Sequence, residues 1–146
     1  MLIEIFIITI LAMIATGFWE AYMEGAHPWA EQQVGWTIQI TKSYSLTAYH
    51  FFAFWIMFPL LLIVFPMVLL GFSWQLLGIT ISAFSVGLLV EDFTWFLVNP
   101  KFPLRNFNSA NVKWYSWLKL GKFEIPLGYV IGIVISIASW FFLWRP

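Results

Sequence analysis

The chain contains no cysteine, which excludes disulfide bonds, thiolate zinc sites and thiol catalysis but says little about the compartment. Charge is nearly as scarce. Lys, Arg, Asp and Glu make up 10% of 146 residues and cancel to a formal net charge of +0, whereas a soluble domain carries about 25% charged residues. Neutrality gives no reason to expect nucleic acid as a partner. Histidine is limited to His27 and His50. The sequence also lacks an internal repeat, so the inverted-repeat design of large transporters has no foothold. Nothing indicates a nucleotide or haem.

What the chain has instead is apolar surface. Hydrophobic residues make up 62%, mean hydropathy is +0.86, and there are 10 Trp and 16 Phe. A 17.0 kDa globule cannot hide this much from water, so lipid is the expected solvent. Four runs have the roughly 20-residue length of a bilayer-spanning helix: Leu2–Met23, Tyr49–Leu70, Trp74–Val98 and Pro126–Trp144. The expected fold is therefore all-α: a polytopic integral membrane protein forming a four-transmembrane-helix bundle, one transmembrane domain over residues 1–146. The first run has no basic n-region, carries Glu4 and is too long for a signal peptide, so it is read as a retained span. Pro59 and Pro66 should kink the second, and Pro126 suits a first helical turn. Gly128, Gly132 and Ser136, together with Gly78–Ser82 and Ala83–Gly87, supply small-residue contacts, read as packing within the chain rather than a dimer face.

Orientation follows from the basic residues. The 99–125 loop carries Lys101, Arg105, Lys113, Lys119 and Lys122, the 24–48 loop carries Lys42, and the opposite side has only Arg145. The positive-inside rule puts both loops in the cytoplasm and both termini outside. Within "NVKWYSWLKLGKFE", lysines interleave with Trp114, Tyr115, Trp117 and Phe123. Next to a span this pattern reads as an interfacial segment contacting the lipid bilayer.

With spans alternating in direction, one membrane face collects most of the titratable side chains. "GFWEAYMEGAHPW" brings Glu20, Glu24 and His27, "TAYHFF" brings His50, and "LLVEDFTWFLVNP" brings Glu91, Asp92 and Asn99. Glu4, Glu31 and Glu124 fall outside the set. Helical periodicity puts Glu20 and Glu24 on one face, Glu91 in line with Trp95, and Asp92 in line with Asn99. His27 is the weaker candidate, because Gly25 loosens the turn and Pro28 biases it away from helix. Each ionised acid at a span centre costs about 2.5–3.5 kcal/mol, and the 13 Leu, Ile, Phe and Val residues from Leu76 to Val98 together offset roughly 4–8 kcal/mol. Insertion is feasible, but the acids should face the bundle interior and find a proton or a cation. No Lys or Arg lies inside a span; Arg105 or a loop lysine would have to reach in.

Carboxylates and imidazoles at one end of a four-helix bundle point to a divalent metal ion held by Glu20, Glu24, His50, Glu91 and Asp92, with Trp95 and Asn99 as further polar members. "EGAH" is a single Glu-x-x-His motif, where di-metal bundles carry two. The competing reading is structural: an acidic pair capped by Tyr, Trp or loop donors. The string "EDFTWFLVNP" resembles the E-D-F-x-W-F-x-x-N-P string of uncharacterised small polytopic prokaryotic membrane proteins, through Glu91, Asp92, Trp95, Asn99 and Pro100. The resemblance covers about ten residues and implies a location in a prokaryotic cell membrane without a mechanism. Three functions follow as expectations: a metal-dependent enzyme acting on a lipid or lipophilic substrate, a proton- or cation-handling protein that needs a homo-oligomer to form a path, or a non-catalytic subunit of a larger membrane complex.

Overall fold

The computed structural model describes residues 2–26, 34–40, 45–121 and 123–145. His27, Pro28, Glu31, Lys42 and Lys122 lie outside the described residues. The element order is α1 (Leu2–Glu24), β1 (Thr37–Gln39), β2 (Ser45–Thr47), α2 (Ala48–Leu70), α3 (Trp74–Val98), a 3-10 turn (Leu104–Asn106), β3 (Trp117–Leu120), β4 (Phe123–Pro126) and α4 (Leu127–Trp144). All four helices are long and apolar enough to cross a membrane.

Local chemistry sets the ends of these helices. α1 stops at Gly25, whose φ of +66° suits a residue without Cβ. The Thr47 hydroxyl caps α2 by accepting the His50 backbone N–H at 3.3 Å, and Ser73 caps α3 by accepting Leu76 N–H at 3.0 Å. Gly71, at φ +80°, turns the chain between α2 and α3. At Asn99 the chain leaves the helix (ψ +115°), as a residue before proline is biased to do. Pro126 differs from expectation: it ends β4 and sits outside the first turn, as the extended N-cap of α4 (ψ +132°). Around Pro59 and Pro66, α2 widens into π-helical turns at Phe51–Met57 and Leu60–Val64. Phe58 N–H bonds Ala53 O and Phe65 N–H bonds Leu60 O, an i→i−5 pattern that redirects carbonyls where proline has no N–H to give.

α3 is the central helix, with α1 and α4 packed along it. Half of its most apolar stretch is buried within the protein, against 6% for α2, the least buried of the four. Small residues allow the close approaches. A Cβ on Gly17 would run into the Glu91 carbonyl oxygen and lie 2.8 Å from Thr94 Cβ, and one on Gly87 would lie 2.7 Å from Met13 Cγ. Gly132 packs on Leu89, and Gly78 lies under Leu143 and Trp144. Ser82 and Ser136 hydroxyls pair at 2.7 Å, and Ser139 donates to Gly78 O at 2.8 Å; such interhelical bonds average about 0.6 kcal/mol. The small residues thus join helices of one chain. Gly128 is the exception, facing open space.

The sequence pattern gave no hint of the two antiparallel hairpins in the loops. β1 pairs β2 with Ile38 opposite Leu46, and β3 pairs β4 with Leu118 opposite Ile125. The second rests on an aromatic cap, in which Phe102, Phe107, Trp114, Tyr115 and Trp117 pack on Ala21, Trp95, Phe96 and Val112. This cap closes the loop-side end of the helices.

Candidate functional site

Three ligand-bearing side chains meet where α1 ends and α2 begins. One atom each of Glu20, Glu24 and His50 lies within 4.8 Å of the others. Glu20 and Glu24 are one helical turn apart, so α1 presents both on the same face. Glu20 is only 5% exposed and accepts the Tyr49 hydroxyl. His50 Nε2 stands 3.6 Å from Glu24 Oε1, while its Nδ1 lies 2.7 Å from Thr47 Oγ1. With the proton on Nδ1, the ring donates to Thr47 and turns its Nε2 lone pair toward the glutamates. This is how a second partner orients a metal-binding imidazole. The same threonine caps the helix, so one hydroxyl fixes both the start of α2 and the ring.

Glu91 and Asp92 part company although they are neighbours. Successive helical residues point about 100° apart, so Glu91 turns toward α1 and Asp92 toward α4. Glu91 is 5% exposed and lies beside the carboxyl of Glu20. Asp92 accepts the Tyr115 hydroxyl on one oxygen and the Tyr129 hydroxyl, at 2.5 Å, on the other. Its partners are phenols; Arg105 is exposed on the loop. Burial and then the Asp92 charge push the Tyr115 phenol well above its ordinary pKa, so it remains a donor.

Asn99 and Trp95 play different parts. The Asn99 amide donates to Gly25 O at 2.6 Å, and its oxygen accepts Lys101 N–H at 2.9 Å and Phe102 N–H at 3.1 Å. It clamps the end of α3 to the end of α1. Trp95 is 4% exposed, and its indole N–H has no partner among the described residues. Sequence reasoning missed Tyr49, Tyr115, Tyr129 and Thr47 as named partners. The available signal was phenol and hydroxyl groups at span ends, one turn from a histidine or opposite an acid.

A cavity of about 590 Å³ adjoins these groups. At one end are Glu20, Glu24, His50, Glu91, Asp92 and Trp95. From there it runs between α2 and α4 over α3, past Phe54, Leu88, Leu89, Ile131 and Ile135. The seven residues from Asp92 back to Ser85, both lining it, span about 10 Å of α3. Its rim residues Trp55 and Ile131 are 66% and 50% exposed, so the slot opens sideways between the two helices. No protein-family model, curated protein or solved structure matches the chain.

Proposed function

We propose that the chain is a metal-binding integral membrane protein, with Glu20, Glu24 and His50 holding a divalent cation and the slot admitting a lipophilic substrate. The observation that carries this is the meeting of two carboxylates and an oriented imidazole at the polar end of an apolar cavity. Two ligands about 2.1 Å from one ion are at most about 4.2 Å apart, so the 4.8 Å spread has to tighten by roughly 0.6 Å on binding, within the reach of glutamate side chains. Carboxylate with imidazole suits zinc, iron or manganese. Such an ion would supply Lewis-acid chemistry. Glu91 stands beside the set as a carboxyl able to take or give a proton at the slot's polar end. Asp92 contributes by fixing Tyr115 and Tyr129.

The location proposed from composition and the basic 99–125 loop is the cell membrane, with both loops cytoplasmic and the substrate a lipid or lipid-like molecule that enters from the bilayer. Elemental mass spectrometry on detergent-purified protein tests the reading. The wild type is expected to carry about one equivalent of a transition metal, lost in Glu20→Gln/Glu24→Gln/His50→Ala and kept in Asp92→Asn. Metal-free wild type, or a triple variant that keeps its metal, overturns it and leaves proton handling or a subunit role in a larger complex.

A further inference from the structure

The β3–β4 hairpin has two chemically different faces. Register places Leu118 opposite Ile125 and Leu120 opposite Phe123, with Lys119 opposite Glu124 between them. Side chains alternate across a strand, so the first four share one face, and Trp117, Lys119 and Glu124 share the other. The second face is occupied. Lys119 Nζ lies 3.4 Å from Glu124 Oε1, Glu124 accepts the Ser109 backbone N–H and hydroxyl at 2.8 and 2.9 Å, and the Trp117 indole donates to Val112 O at 2.9 Å. The first face is exposed, most of all toward the turn, with Leu118, Leu120, Phe123 and Ile125 39%, 67%, 76% and 39% exposed.

We infer that this face is an interfacial anchor, seated in the headgroup and upper acyl layer of the bilayer, with anionic lipid as its partner. The helix read as the fourth span begins at Leu127, directly after the strand, and Leu127 N–H bonds Ser116 O at 2.7 Å, so the base of the hairpin is held at the span's entrance. Four residues of strand reach about 13 Å, enough for apolar side chains to enter the 5–10 Å depth of an interfacial element. Lys101, Arg105 and Lys113, exposed on the same loop, supply the charge that anionic headgroups attract. The anchor also holds the loop whose Tyr115 reaches Asp92. It rests on strand register and exposure, independently of the metal.

Because the chain has no cysteine, single spin labels report on the two faces. Leu120→Cys, Phe123→Cys and Lys119→Cys are labelled in full-length protein in nanodiscs of phosphatidylcholine with phosphatidylglycerol. Collision with oxygen, which concentrates in lipid, is compared with collision with a water-soluble nickel chelate. Labels at 120 and 123 are expected to favour oxygen several-fold over the label at 119. Equal nickel access at 119 and 120 overturns the anchor. Shielding of 120 and 123 from both probes also overturns it, and label–label coupling in that case identifies a second copy of the chain as the true cover.

Discussion

At Asp92, both carboxylate oxygens are already engaged by tyrosine hydroxyls, which makes the residue a joint between α3, α4 and the loop. Asp92→Asn turns one of those oxygens into a donor and strands one phenol, so thermal unfolding in detergent is expected to show a loss of about 1–3 kcal/mol with metal content unchanged. A second expectation concerns acid. The Ser109 backbone N–H, its hydroxyl and Lys119 hold the Glu124 carboxyl below its ordinary pKa. A group held low in the folded chain contributes stability above its unfolded pKa, about 4.3 for glutamate, and loses it as pH falls through the lower folded value. Tryptophan fluorescence from the Trp117 loop is expected to shift in that window in the wild type and to stay flat in Glu124→Gln. The acids themselves were legible in sequence, because so few charges interrupt the apolar runs. Their partners were not: periodicity assigns a face but not which tyrosine of a distant loop or helix meets it, and Asp92 and Asn99, on one face by spacing, bond in different places because Asn99 has left the helix.

Among the elements, the contact between α1 and α3 depends on Gly17. Gly17→Ala drives a methyl into the Glu91 carbonyl and is expected to cost about 1–3 kcal/mol by overpacking; Gly128→Ala, with nothing within 4 Å of the added carbon, is expected to be neutral or slightly stabilising. Unfolding of the two variants in the same detergent checks the contrast. Gly128 lines the slot, so on the proposed function the wild type is expected to co-purify with metal and lipid, and Gly128→Phe to keep the metal and lose the lipid, read by mass spectrometry of extracted protein. The third helix, Trp74–Val98, has the bounds expected from its apolar run, and the others differ by a residue at an end. Length and hydropathy locate these long apolar helices well, their length being the one that crossing a bilayer would impose. The hairpins escaped notice because strands of three or four residues leave too few positions for a period of two to register against a background of aromatic residues.

At the scale of the whole molecule, the uneven distribution of lysine and arginine predicts sidedness. A reactive cysteine at Ala110 is expected to be labelled by an impermeant maleimide only from the cytoplasmic side, and one at Phe72 only from the other; the reverse result would invert the protein. The four helices also share the work unequally. α3 forms the interior, α1 and α4 lean on it, and α2 contributes one ligand candidate, His50, together with one wall of the slot, Phe54 and Trp55. His50, Phe54 and Trp55 all sit on α2, so any outward displacement of that helix would widen the slot and draw the imidazole from the carboxylates in one movement.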